Sequence, residues 1–363
     1  MKISIEQRLN RLGQWFNRKN DRPLLGFYLD SQYPLHRFEG SRKHLLNGKV
    51  TAEDIVVEDY LDDCDRLYEL YDEAGGDLIW SSCPFFGLPW VEAALGCGVI
   101  ADHTTGSSRS VPPAGFADKP IVAEFSVDNP WVAKMLEFFP ALVERSTGRY
   151  PVGVTLMRGI SDLLSALYGG EEAIIRMYER PDEVLAVVEK LTDFSIAFGQ
   201  CMMDHVPLFH GGTGSFFYSL WCPAKTIWLQ EDAAALLSPK LYEQFIHPHY
   251  CRIVKTFEHS VVHLHPSKFS PVDYLLAGKT SVIEMHIDKG GPTAEDLCNT
   301  HRKILEQKPL LIWGDLSDAD LEFVLKYQPY KGLAINIVVS SPQQASAIWE
   351  KAYGLWSAGI SKI

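Results

Sequence analysis

The sequence predicts an α/β protein, a (β/α)8 TIM barrel with an N-terminal capping helix, formed as one domain over residues 1–363. Three observations lead there. Short, continuous, β-branched apolar runs alternate with amphipathic runs, and such runs read as buried parallel strands with helices between them. Eight runs qualify, which is the number that closes a barrel. No glycine-rich turn follows the first run, and this weighs against the alternative, a doubly wound open sheet.

In chain order, the amphipathic segment MKISIEQRLNRLGQWF supplies the capping helix, and the first four strands fall at 23–29, 77–80, 151–157 and 226–231. Residues 102–120 carry Gly106, Pro112-Pro113 and Gly115 and read as a long surface excursion. Residues 181–204 place Val184, Val187, Val188, Leu191 and Phe194 at helical spacing, behind a first turn of Pro181, Asp182 and Glu183. Ser238-Pro239 opens the next helix, followed by strands at 261–265 and 281–288. Thr293 opens another helix, 310–315 is a strand, and Ser317 caps the helix after it. The last strand, 333–339, leads into Ser341-Pro342-Gln343-Gln344, a capping box with proline at the first helical position.

Composition narrows the function classes. Lys and Arg number 34 against 46 Asp and Glu, a formal net charge of -12, which argues against nucleic-acid binding. With 46% apolar and 22% charged residues the chain is of ordinary globular composition. No apolar run approaches the roughly 18 residues needed to cross a bilayer, and the N-terminus lacks the features of a signal peptide. The expectation is a cytoplasmic protein with neither a membrane nor a nucleic acid as partner. The 7 cysteines are an odd, scattered set with no Cys-x-x-Cys pair, which excludes a disulfide framework and a cysteine-rich zinc knuckle.

In a barrel, function gathers at the C-terminal ends of the strands. Those ends read Tyr28-Leu29-Asp30; Trp80, with Cys83 and Trp90 beyond; Met157-Arg158, with Asp162 beyond; and Gln230-Glu231-Asp232. Then come His263-Leu264-His265, Glu284-Met285-His286-Ile287-Asp288, Trp313-Gly314-Asp315 and, within the last strand, Asn336. His263 and His265 are two apart on a strand and share a face, so both can reach one metal ion. Glu284 on the neighbouring strand adds an oxygen ligand, giving a set suited to zinc or another divalent ion. The alternative is that these histidines hydrogen-bond within the mouth or bind substrate. Glu231 and Asp232 are placed to act as base or to orient a ligand, or else to cap the next segment. Asp315 faces the mouth or serves a turn. His210-Gly211-Gly212-Thr213-Gly214-Ser215 lacks the Lys-Ser/Thr of a phosphate loop and reads as a flexible active-site loop. Cys83 and Cys222 have no identifiable base partner.

Several features together resemble the uroporphyrinogen decarboxylase superfamily. They are Gly75-Gly76-Asp77, Glu179-Arg180-Pro181-Asp182, Asp232 followed by Leu237-Ser238-Pro239, the stretch from Phe245 to Pro248, His263-x-His265, and Ser341-Pro342 after the last strand. Order and spacing, over residues 5 to 356, carry the resemblance. It implies a (β/α)8 barrel and one of two chemistries: cofactor-free decarboxylation of a porphyrinogen, or zinc-dependent methyl transfer linked to methylcobalamin. The decarboxylases carry an arginine-rich segment after the first strand, where this chain reads Phe27-Tyr28-Leu29-Asp30-Ser31-Gln32. The methyltransferases carry His-x-Cys after the fifth strand, where His263 matches the histidine, His265 replaces the cysteine and Glu284 falls near a glutamate ligand of one branch. A nitrogen and oxygen ligand set makes a harder Lewis acid than a thiolate set, suited to polarising a substrate oxygen.

Three functions are therefore weighed. The first is a zinc methyltransferase passing a methyl group from a small methylated substrate to a corrinoid on a partner protein. Its metal ligands are His263, His265 and Glu284, with His286, Asp315, Glu231 and Asp232 as catalytic candidates. Tyr28, Asp30, Trp80, Trp90, Asp162, Gln230 and Asn336 are its candidate substrate contacts. The second is a metal-free lyase acting on a carboxylated, tetrapyrrole-like substrate through Asp232 or Asp30. The third is a corrinoid or tetrapyrrole binder without turnover. No Asp-x-His-x-x-Gly corrinoid motif is present, so a corrinoid would come on another protein. Many barrels of the family pair, which makes a homodimer an expectation.

Overall fold

The computed structural model describes residues 3–29, 33–43, 45, 48–267 and 270–357. Its centre is a seven-stranded parallel sheet: β1 (Leu24–Leu29), β2 (Met157–Arg158), β3 (Thr226–Gln230), β4 (His259–Leu264), β5 (Val282–Ile287), β6 (Leu310–Gly314) and β7 (Leu333–Val339). Their spatial order is β1-β7-β6-β5-β4-β3-β2. Buried, β-branched runs flanked by amphipathic helices produce this arrangement, because both faces of each strand are covered. The fold is TIM-barrel-like.

The predicted strand at 77–80 is not a strand. Its stretch does run between β1 and β2, but its backbone hydrogen bonds go to several partners. Asp77 N–H donates to Leu25 O at 2.7 Å, Ile79 N–H to Ser219 O at 3.1 Å, and Ser82 N–H to Pro151 O at 3.1 Å. A single parallel bridge, Ser82 to Val152, links it to the segment before β2. No ladder therefore closes the sheet among the described residues, and the eight-stranded closed barrel is corrected to seven strands with this extended segment in the gap.

The expected flexible loop at 210–215 is also corrected. Gly212–Ser215 and Leu220–Pro223 form an antiparallel hairpin, whose turn, 216–219, enters the interior of the fold. Phe216, Tyr218 and Ser219 are buried. The Tyr218 ring stacks on Trp228 with centroids 5.4 Å apart, and its carbonyl accepts a hydrogen bond from Asn336 Nδ2 at 3.1 Å. Where the hairpin crosses residues 151–153 the backbones nearly touch. A Cβ on Gly153 would lie 2.0 Å from Gly214 O, so a larger residue there would displace the hairpin.

The N-terminal helix, Ile5–Phe16, starts at a capping box between Ser4 and Gln7 and buries Leu9, Leu12 and Trp15 at helical spacing. Arg11 from this helix and Arg22 both reach the fully buried Asp77, with Arg22 Nη2 2.8 Å from Asp77 Oδ1. Leu25 N–H donates to Asp77 Oδ2 at 3.0 Å, so one carboxylate ties the helix to β1. The predicted helices appear as Pro181–His205, His247–Thr256, Cys298–Leu305, Asp318–Tyr327 and Pro342–Ser357. The excursion at 102–120 begins as a hairpin of Gly98–Asp102 and Ser107–Val111, paired further with Gly48–Val50. All 7 cysteines are unpaired, and burial pushes the Cys83 and Cys222 thiols well up. No described helix is long and apolar enough to cross a membrane.

His301 is fully buried on the helix Cys298–Leu305, and neither ring nitrogen has a hydrogen-bond partner. Burial pushes its imidazolium down to about 4, from the ordinary 6.5. Below pH 6.5 the unfolded chain binds a proton that the folded chain does not. Stability should therefore fall as the pH drops from about 6.5 toward 4, by up to about 3 kcal/mol from this group. His301→Leu should flatten that part of the curve. Urea unfolding of both proteins across this range is the check, and parallel pH slopes would discount His301.

Candidate functional site

Parallel register sets the site. Arg158 of β2 lies opposite Gln230 of β3, Gln230 opposite His263 of β4, and His263 opposite Glu284 of β5. Alternate residues share a face, so Asp232, His265 and His286 stand at the next level up, with His286 opposite Trp313 of β6. Asp288 extends the β5 series by one more step. All lie at the C-terminal ends of their strands, where a fold of this kind gathers its chemistry.

The contacts interlock. His263 presents Nδ1 to Glu284 Oε2 in a direct contact and Nε2 to Asp232 Oδ1 at 3.5 Å. His265 presents Nδ1 to Asp288 Oδ2 at 2.7 Å and Nε2 to Asp232 Oδ2 at 3.9 Å. His286 has Nδ1 4.0 Å from Glu284 Oε1 and Nε2 3.6 Å from Asp288 Oδ1. Gln230 Nε2 donates to Asp232 Oδ2. Three buried atoms are left without a hydrogen bond: Asp232 Oδ1, Glu284 Oε1 and His286 Nδ1.

Burial and neighbouring charge set the protonation states. For His263, burial opposes the charged ring, but contact with Glu284 and the charges of Asp232 and Asp162 win and raise it to about 9. Burial lifts Glu284 above its ordinary value despite His263 beside it. His286 is driven down to about 2 by burial and by the nearby His263 and His265. Its ring is therefore neutral at pH 7 and keeps a lone pair.

Two groups of these side chains could hold a metal ion: His263 with Glu284 and His286, all buried, and Asp232 with His263 and His265. Within each, the ligand atoms lie within 4.8 Å of one another. His263 belongs to both. The predicted trio of His263, His265 and Glu284 is thus divided between them: Glu284 reaches Nδ1 of His263, while His265 turns toward Asp232 and Asp288. The orphaned Glu284 Oε1 and His286 Nδ1 face each other across 4.0 Å beside His263, and nitrogen and oxygen donors of this kind fit zinc.

No family model matches the chain, and no curated protein matches it. Among solved structures it is similar to a methyltransferase from Methanosarcina mazei. The two are 13% identical, with a TM-score of 0.63, over 96% of this chain and 99% of that one. At that identity the likeness is one of fold.

A cavity of about 400 Å³ opens over the site. Gln230, Asp232, His263, His265, His286 and Asp288 line one side, and Phe86, Phe217 and Trp313 line another. Arg158 and Glu92 also line it. Of the other predicted residues, Glu231 points to the opposite face of β3, where strand alternation puts it. Its carboxylate accepts from Ser161 Oγ and from Ser161 N–H at 3.3 Å, and burial pushes it up to about 7 against those bonds. The approach is close enough that a Cβ on Gly159 would meet Glu231 Oε1 at 2.2 Å. Asp162 accepts from the N–H groups of Asp232 at 3.3 Å and Ala233 at 2.7 Å. Burial and the charge of Asp232 raise its carboxyl well above the ordinary value.

Tyr28, Trp80 and Trp90 do not line the cavity. Tyr28 lies under the Arg37 guanidinium at 4.1 Å, and Trp80 packs edge-on against Tyr150 at 4.6 Å. Trp90 donates from Nε1 to Phe85 O at 3.0 Å. Asn336 holds the hairpin turn from below, and Asp315 lines a different cavity of about 470 Å³ beside Lys289. Asp30 lies outside the described residues. The strand-end reading includes Asp288, Arg158 and Trp313 without giving them a role, and it misses Glu92 and Phe217. Glu284-x-His286-x-Asp288 carries the same alternation as His263-x-His265, which puts Asp288 on the same face as the histidines. Nothing local names Phe217, because a turn distant in sequence delivers it.

Asp162 positions Asp232 by accepting from the backbone of its turn. Asp162→Ala should cost about 1 to 2 kcal/mol by leaving two partly buried N–H groups without their acceptor, while Asp162→Asn, which keeps a carbonyl acceptor, should cost less than half of that. Urea unfolding of the two variants reads the difference. Equal losses would mean that side-chain volume, not the acceptor, holds the turn.

Proposed function

We propose that this chain is a zinc-dependent methyltransferase that moves a methyl group from a small methylated substrate to a corrinoid carried by a partner protein. The observation that carries the reading is the buried group of His263, Glu284 and His286, with Glu284 Oε1 and His286 Nδ1 unpartnered beside each other at the strand ends. Its likeness in fold to a methyltransferase supports the same reading.

In this reading His263, Glu284 and His286 hold the metal. Bound zinc supplies a Lewis acid that polarises a substrate oxygen. The remaining residues bind, orient and move a proton. Phe86, Phe217 and Trp313 shield one side of the cavity from water. Asp288, 2.7 Å from His265 Nδ1, fixes the orientation of that ring, leaving Nε2 toward Asp232 and the cavity. As the methyl group departs, the substrate oxygen keeps the electron pair of the broken bond and takes a proton from His265. Asp232, held by Gln230 and by the N–H contact to Asp162, steadies the charged ring before that transfer.

Elemental analysis tests the reading directly. Untagged protein should hold about one zinc per chain, the His263→Ala/His286→Ala variant should hold none, and His265→Ala should retain it. Methylation of free cob(I)alamin by the loaded protein, followed by its absorption change over a panel of methyl ethers, should fall at least a hundredfold in the double variant. Metal-free protein even after reconstitution, joined to release of carbon dioxide from carboxylated substrates, would replace this function with the lyase.

A further inference from the structure

Arg158 is the one guanidinium on the wall of the main cavity among the described residues. It ends β2, at the same level as Gln230, His263 and Glu284. Its position opposite Gln230 puts its backbone two strand spacings from His263, about 10 Å. Its side chain is 41% exposed and pairs with Glu92, whose Oε1 lies 3.6 Å from Nε. Neither terminal amine of Arg158 has a hydrogen bond to a described residue, so the flat double-donor edge of the guanidinium is available to a ligand. Arg158 and Glu92 also line a smaller adjoining cavity of about 220 Å³, with Ser110 and Ser165 among its walls. The arginine thus stands where the main cavity passes into a polar annex.

We propose that Arg158 anchors the carboxylate of the substrate, so that this site takes a small carboxylic acid with a flat, apolar body. The proposal rests on the methyl-transfer reading only for which end of the molecule reacts. The body lies along an aromatic wall that leads from Phe86 to Phe217, 5.1 Å between centroids, and on to Trp313 at 4.4 Å. Trp313 in turn lies 4.6 Å from His286, so the wall runs toward the group of candidate ligands. A substrate held by its carboxylate at Arg158 and flat against this wall presents its far end to His286 and His263. The other charges choose among anions. Glu92, Asp232 and Asp288 all line the cavity, and their repulsion weighs more heavily on a dianion such as phosphate than on a monoanion. A monoanion able to take two parallel N–H donors suits the place. Glu92 competes for the same guanidinium and so lowers affinity for such an acid.

The test is calorimetric titration of the full-length protein with benzoate and with benzamide, its uncharged counterpart, in zinc and again in chelator. Benzoate should bind at least tenfold more tightly than benzamide under both conditions. Arg158→Gln should weaken benzoate at least tenfold while changing benzamide less than twofold, and Arg158→Lys should recover part of the loss. Glu92→Gln should tighten benzoate severalfold, a result that does not depend on the arginine variants folding. Equal affinities for acid and amide, benzoate binding within twofold of wild type in Arg158→Gln, or no tightening in Glu92→Gln would each overturn the anchor. Because the chelator arm needs neither metal nor turnover, binding that depends on Arg158 in a protein that takes up no zinc would sink methyl transfer and leave the anchor standing.

Discussion

Parallel register across β2 to β6 is the constraint from which the site follows. Once Gln230, His263 and Glu284 share a level, alternation of side chains leaves no choice about the next one: Asp232, His265 and His286 must stack above them on the same face. A slip of one residue between any two strands would turn one column toward the helices and replace it with Val262, Leu229 or Met285. The apolar residues on the outer face make such a slip costly, so the same burial that holds the sheet together holds the polar columns in line.

Concentrating so many carboxylates in one end of a fold demands that each be answered. Glu231 is met by Ser161 at a helix start, Asp162 by two backbone N–H groups, Asp288 by His265, and Asp232 by Gln230. Glu284 is met on one oxygen by His263, and like Glu231 and Asp232 it keeps a second, buried oxygen without a hydrogen bond. What separates the Glu284 corner is the unpartnered Nδ1 of His286, 4.0 Å from its free oxygen. Glu231 and Asp162 start a helix and aim a turn, while here a buried oxygen and a buried nitrogen stand side by side without a hydrogen bond.

Much of this was legible in the residues. The β-branched runs located six of the seven strands of the parallel sheet, while the expected strand at 151–157 meets β2 only at Met157; the two-residue spacing in His263-x-His265 placed both rings on the polar face. What could not be read was where segments without a ladder would go. Residues 77–82 are apolar enough for a strand, but their hydrogen bonds are divided among β1, the hairpin turn and the segment before β2. Trp80 and Trp90, expected at a strand end facing the mouth, consequently pack into the aromatic core beside it. Glu231, by contrast, could have been assigned correctly from alternation alone, since it lies one residue away from both Gln230 and Asp232.

The hairpin turn at 216–219 separates two properties that a filled barrel would normally fix together. In a barrel packed by its own strands, the residues that make the floor also set the ladder, and deepening the cavity means rebuilding the core. Here Phe217, carried on a short turn of its own, forms part of the lining while the polar columns belong to the strands. The reach of the cavity and the position of its polar columns can therefore diverge independently in sequence, with one turn acting as an adjustable shelf beside a fixed frame.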